Sequence, residues 1–191
     1  MVGRNEPGQV SICPGSLVAG GCPMTVSLRD AREHIADHAW IQSVFRDYLD
    51  DLRTRRTGLF PVLGAVGLAE PDQVQAWLAD RNATLLTILD HGQRAGFALQ
   101  LRRHGDAEAD YRMAEFFIVR PRRRRGLGRA AARLIFDRFA GRWEVVQDSS
   151  NREAIAFWRN VLAAYTRGDY RERTGHGEVR QFFSSASSNK G

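Results

Sequence analysis

The sequence predicts a mixed α/β (α+β) domain, a mostly antiparallel sheet with one parallel strand pair and helices on both faces. Two observations lead there. The largely apolar run Glu115-Phe116-Phe117-Ile118-Val119 reads as a buried strand; a glycine-containing turn, an amphipathic helix and a second strand, Trp143-Glu144-Val145-Val146-Gln147, follow it. Strand, helix and strand in that order close as a right-handed crossover with parallel strands. The other strand pairs, 84–89 with 95–101 and one late in the chain, have connections short enough to run antiparallel.

In chain order, residues 1–23 are rich in Gly, Pro and Ser and show no periodicity. They are expected to be a disordered leader, or an over-long start before Met24. One domain is expected over 24–183, then a polar tail over 184–191. A short strand at 25–29 precedes a long helix with Ile41, Val44, Phe45, Tyr48, Leu49 and Leu52 on one face. A Gly/Pro-rich loop at 58–71 leads to a short helix at 73–79. Asp90-His91-Gly92-Gln93 joins two strands as a hairpin turn. From Leu127 the apolar residues recur as Ala131, Leu134 and Ile135, which is helical spacing. Ser150 reads as the cap of the next helix, with Glu153 reaching back and Ala154, Trp158, Val161 and Leu162 inward. Stretches 165–170 and 179–183 read as a final strand pair.

At 191 residues the chain has room for one sizeable core, and 43% hydrophobic with 26% charged residues is the composition of a globular protein. No apolar run approaches a membrane span. The net charge of +6 suggests a nucleic-acid binder until it is located. Residues 120–133 hold seven arginines and no acid; removing those seven leaves the rest of the chain at −1. A remainder so nearly neutral cannot track a nucleic-acid backbone, whereas one dense basic loop suits a compact polyanion. Both cysteines, Cys13 and Cys22, lie in the expected leader, so the core has neither a disulfide framework nor a Cys-based metal site. A reducing, cytoplasmic setting is expected. His34 and His38, four apart on the first helix, lack a third ligand and read as solvated or core-flanking.

The basic loop is Arg123-Arg124-Arg125-Gly126-Leu127-Gly128, between the first strand of the crossover and its helix. A glycine turn entering a helix directs backbone N–H groups and the positive end of the helix dipole at one small volume. Arginines add permanent charge and forked donors suited to phosphate. The spacing is neither a Walker A loop, since no lysine precedes Lys190, nor a Rossmann fingerprint, since Ala131 stands at the third glycine. As R-x-x-G-x-G after a strand it resembles the acetyl-coenzyme A loop of the GNAT superfamily of N-acetyltransferases. The later helix Asn151-Arg152-Glu153-Ala154-Ile155-Ala156-Phe157-Trp158 is similar to that family's N-x-x-A-x-x-x-Y, with Trp158 at the tyrosine position.

The resemblance implies that the central parallel strands splay into a V, with the pantetheine arm of acetyl-CoA, the co-substrate, lying between them. Backbone of Ile118, Val119 and Arg120 would meet pantetheine and the thioester. The loop Arg123, Arg124, Arg125, Gly126, Leu127, Gly128 and Arg129 would bind the pyrophosphate, and Asn151 the arm from the other side, with Trp158 beside it. An amine would attack the thioester directly, and Glu115 is the candidate base. An indole N–H cannot protonate the departing thiolate as tyrosine can, so a catalytically weak CoA-binding regulatory module is the alternative. The acceptor would be a small cationic amine or a protein amino group, met by Asp47, Asp50 and Asp51, the 58–71 loop, Tyr165, Asp169 and Tyr170. No metal, nucleic acid or membrane enters this reading, and a monomer and a homodimer both fit it.

Overall fold

A computed structural model describes residues 25–54, 70–105 and 107–185. The expected leader, most of the 58–71 loop and the tail from 186 lie outside them. The elements are β1 (Val26–Asp30), α1 (Ile35–Thr54), α2 (Glu70–Ala79), β2 (Ala83–Asp90), β3 (Gln93–Arg102) and β4 (Tyr111–Ile118). Then come α3 (Leu127–Arg138), β5 (Gly141–Asp148), α4 (Arg152–Thr166), β6 (Arg171–Gly175) and β7 (Glu178–Ser185). The seven strands form one sheet in the order β1-β2-β3-β4-β5-β7-β6. Every neighbouring pair is antiparallel except β4 and β5, which are parallel. The predicted fold class holds.

Three local readings are corrected. Helix α2 begins at Glu70 and takes in Pro71, because the first turn of a helix needs no donor from proline. The cap of α4 is Asn151 rather than Ser150: the Asn151 side chain accepts the Ala154 N–H at 3.1 Å, while the Ser150 hydroxyl is held by Asp148. Residues 165–170 are not a strand. Helix α4 runs on to Thr166, because Tyr165 follows Val161 and Leu162 at helical spacing and packs its ring on Phe136 and Phe183. Arg167 (φ 57°) and Gly168 (φ 89°) then end the helix in the left-handed region. The true last pair is β6 with β7, turned by His176 and Gly177, both at positive φ as are His91 and Gly92 in the earlier hairpin. Two left-handed central residues match the right-handed twist of paired strands.

Each face of the sheet has its own core. Under α3 and α4 lie Phe136, Trp143, Trp158, Leu162 and Phe183; under α1 and α2 lie Ile41, Phe45, Trp77, Phe97 and Phe117. Each such side chain contributes roughly 1.5–3 kcal/mol by leaving water.

The parallel seam is short, and a bulge explains it. Tyr111, Arg112 and Met113 pair with Trp143, Glu144 and Val145, and pairing then stops although both strands continue. At that point β4 has an extra residue opposite β3: Gln100 pairs with Met113 and Leu99 with Glu115, leaving Ala114 over. A bulge bends its strand and raises the local twist. Strand β5 meanwhile stays on β7 along its whole length. So β4 follows β3, β5 follows β7, and a V opens between them. The bulge also shifts the alternation of side chains: Met113 packs towards α3 and α4, yet Glu115, two residues on, turns to α1.

Candidate active site

The V opens into a cleft of about 560 Å³. Phe116 of β4 and Phe157 and Trp158 of α4 form an apolar wall, with ring centroids 5.0–5.8 Å apart. Tyr48 and Asp51 of α1 close another side, and Asn151 stands at the head of α4. The basic loop forms the polar end.

That loop is built to present backbone. Gly126 caps α3 at φ 82° and ψ −9°, a conformation a Cβ disfavours, and Arg124 also has positive φ (61°). Among the described residues no side chain caps α3, and no acid sits in its first turn. The first intrahelical acceptor, the Gly126 carbonyl, is used by the Ala130 N–H at 3.1 Å. The N–H groups of Leu127, Gly128 and Arg129 therefore precede the helical ladder and face out of its end. Gly128 serves packing: a Cβ there would stand 3.2 Å from the Phe157 ring, so glycine lets α3 seat against α4.

The seven arginines of the 120–133 stretch divide into two groups. Arg120 donates from Nε (2.9 Å) and Nη2 (2.5 Å) to Asp51 Oδ1, and Arg123 Nη2 donates to Asp51 Oδ2. Arg123 Nε also donates to the Ile118 carbonyl at 2.6 Å, with its guanidinium over the Phe117 ring. Arg122 reaches Asp90 (2.9 Å) and Gln93 (2.5 Å) in the β2–β3 hairpin, and Arg133 lies 3.8 Å from Asp137. Among the described residues Arg124, Arg125 and Arg129 have no ion pair, and all three are exposed. Burial pushes the Asp51 carboxyl up, but hydrogen bonds from Arg123 and Arg120 outweigh it and hold the group below the usual carboxylate range.

Of the expected binding residues, Ile118, Arg123, Arg124, Gly126, Gly128, Arg129, Asn151 and Trp158 line the cleft. Val119, Arg120, Arg125 and Leu127 do not. Leu127 is a core residue, and the Val119 N–H is committed to the Ala95 carbonyl at 2.9 Å. The Asn151 Oδ1 is occupied as a cap, which leaves its amide donors.

Glu115 does not line the cleft; it is 5% exposed, beneath Tyr48. The Tyr48 hydroxyl donates to Glu115 Oε2, and the Tyr48 ring packs on Phe45, Phe97 and Phe117. Burial raises the Tyr48 hydroxyl well above its ordinary pKa, and the Glu115 charge and hydrogen bond raise it further. Sequence reasoning placed Tyr48 on the apolar face of α1 and missed the contact. The available signal was a tyrosine in a buried stripe, whose hydroxyl needs a partner.

Of the residues expected to meet the acceptor, Asp51 is ion-paired with Arg120 and Arg123, and Asp47 and Asp50 lie on the exposed side of α1. Tyr165 lies on the α3 side, where its hydroxyl donates to Asp137 at 2.8 Å. His38 Nε2 sits 2.6 Å from the Ala31 carbonyl, a hydrogen bond that places the proton on Nε2. Among the described residues no group of three His, Cys, Asp or Glu side chains is arranged to hold a metal, and no helix is long and apolar enough to cross a membrane.

The short parallel seam thus splays beside a glycine-capped helix end. The chain belongs to the acetyltransferase (GNAT) family, whose family model matches residues 41–162. No curated protein matches the sequence. Among solved structures it is similar to an acetyltransferase from Thermus thermophilus, at 17% identity and TM-score 0.63, covering 84% of this chain and 97% of that one. It is similar also to the Escherichia coli ribosomal-protein-S18-alanine N-acetyltransferase, at 14% identity, TM-score 0.53 and coverage of 87% and 97%. A third likeness is to Mycobacterium smegmatis RimJ in complex with CoA-disulfide, at 15% identity, TM-score 0.58 and coverage of 84% and 82%. At such identities the structures share the fold.

Proposed function

We propose that this chain moves an acetyl group from acetyl-CoA to an amine nitrogen by direct attack on the thioester. The observation that carries the reading is the start of α3, where three outward N–H groups and the exposed Arg124 and Arg129 adjoin a cleft with an apolar wall, with Arg125 exposed next to Arg124 in the chain. That donor set fits a pyrophosphate, and the aromatic wall suits an uncharged arm. RimJ, one of the structures with this fold, holds a CoA-disulfide. Acetyl-CoA would supply an activated acyl carbon and a thiolate leaving group. The chain's residues would anchor the phosphates, admit the arm through the V and remove a proton from the acceptor.

The acceptor we propose is the amino group of a small cation or of a protein N-terminus. The E. coli protein that shares this fold is a ribosomal-protein-S18-alanine N-acetyltransferase, and Asp47 is an exposed carboxylate on α1 that would attract a cation. The neutralised Asp51 is no longer part of that assignment.

CoA binding is tested by calorimetry and by the rise in Tm that any ligand selective for the folded state produces. Turnover is tested as thiol release with spermidine, kanamycin, lysine and an alanine-terminated peptide. Binding with turnover of at least one amine is expected. Binding without any turnover would leave the regulatory module, and no binding would overturn the reading altogether.

A further inference from the structure

The base expected from the sequence is separated from the cleft by a tyrosine. Both residues are largely buried, Glu115 at 5% and Tyr48 at 6% exposure, but Tyr48 lines the cleft, Glu115 does not, and Tyr48 donates its hydroxyl hydrogen to Glu115 Oε2. Resting on the transfer reaction proposed above, we propose that Tyr48 takes the proton from the acceptor ammonium and passes its own hydroxyl proton to Glu115, making Tyr48 the catalytic residue that touches the amine.

The geometry is set by two independent features. The bulge at Ala114 turns Glu115 to the α1 side, which ordinary alternation after Met113 would not do. Helical spacing from Ile41 and Phe45 brings Tyr48 over the same point, and Phe45, Phe97 and Phe117 fix its ring. A hydroxyl can accept one proton while donating another, so the hop needs no tyrosinate. The strongly raised Tyr48 pKa is consistent with a group that stays neutral throughout.

The protons and electrons balance. The acceptor R–NH3+ gives one proton to the Tyr48 oxygen as the Tyr48 proton moves to the Glu115 carboxylate. The freed nitrogen lone pair forms the N–C bond to the acetyl carbon. The C–S bond breaks, its electron pair leaving on sulfur. A second nitrogen proton ends on the thiolate, and Glu115 returns its proton by the reverse hop through Tyr48 to water in the emptied cleft, so one H+ is released per turnover. The charged groups facing the cleft beside the pair are Asp51 with its arginine Arg123 from α1 and the loop, Arg124 and Arg129, and Glu153 of α4.

The test compares Tyr48→Phe, Glu115→Gln and the double variant on the full chain. Thiol release from acetyl-CoA is followed with the four acceptors above and with water as the nucleophile in the blank. Tyr48→Phe keeps the ring, so its CoA dissociation constant should stay within about twofold of wild type while kcat falls about 10²-fold, the size of a general-base contribution. That deficit should shrink as pH rises towards the pKa of the amine, because a neutral amine needs no relay. Glu115→Gln should show the same pH profile. The double variant should be no slower than the slower single one, since both residues serve one proton path.

Undiminished turnover in Tyr48→Phe would show that the amine reaches Glu115 by another route. A pH-independent loss, or multiplying effects in the double variant, would also overturn the relay. Should wild type bind CoA but release no thiol even in the blank, the relay falls while the phosphate loop stands. Should it bind no CoA, the transfer reading fails first.

Discussion

Residues 120–123 and 124–129 form one arginine-rich stretch in the sequence, but the fold uses them differently. Arg120 and Arg123 close on Asp51 of α1, and Arg122 closes on the β2–β3 hairpin. The loop entry is thereby fastened on two sides. From Arg124 to Arg129 the side chains have no acid partner among the described residues, and the backbone turns left-handed at Arg124 and Gly126 to aim N–H groups outward. The first half positions and the second half presents. Positive charge in a sequence is therefore not a count of ligand contacts, because the acids that cancel it come from distant segments.

The comparison is broken most severely at Gly126. Its φ of 82° would cost a β-branched residue about 1–3 kcal/mol, so Gly126→Val should weaken CoA binding by roughly ten- to a hundredfold. Calorimetry that found wild-type affinity would mean the α3 end is not the anchor. Arg124→Ala should cost only a few-fold in affinity and lower its salt dependence, because one exposed charge is partly redundant beside two others.

Stability should divide the halves the other way. Arg123→Ala leaves Asp51 one of its two arginine partners, Arg120, and frees the Ile118 carbonyl, a loss of about 1–2 kcal/mol after allowing for partial exposure. In a chain of this size that lowers Tm by roughly 3–7 °C. Arg124→Ala should leave Tm unchanged. A scan in which the two variants melt together would erase the distinction between positioning and presenting arginines.

The smallest effect sharpens the first half alone. Asp51 is held below the usual carboxylate range in the folded chain, and so is Asp37, where hydrogen bonds from Arg29 and Arg94 outweigh burial. A depressed folded pKa gives stability that is fully present above the unfolded value of about 4 and is lost as pH falls through the folded value. Urea unfolding from pH 7 to pH 3 should show stability declining below about pH 4, with a shallower decline in Asp51→Asn. An unchanged acid slope would place the titrating group elsewhere.

The sequence by itself determined the elements whose partners are near in the chain. Helical spacing at 41, 45 and 48, the His91-Gly92 turn and the strand–loop–helix at 115–135 were all legible, because backbone periodicity and turn chemistry act over a few residues. The glycine loop was legible too, since Gly126 meets a local conformational demand. Where local signals conflict the sequence misleads: Tyr165 fits a strand pattern, but its packing on Phe136 and Phe183 holds it on a helix. What only the tertiary structure decided depends on segments distant in sequence. Tyr48 meets Glu115 across 67 residues and Arg123 meets Asp51 across 72, and neither contact leaves a pattern in either segment alone. The bulge at Ala114 likewise depends on β4 keeping its partner β3 while β5 keeps β7. That competition between two strand pairings opens the V, and it exists only once all four strands have come together.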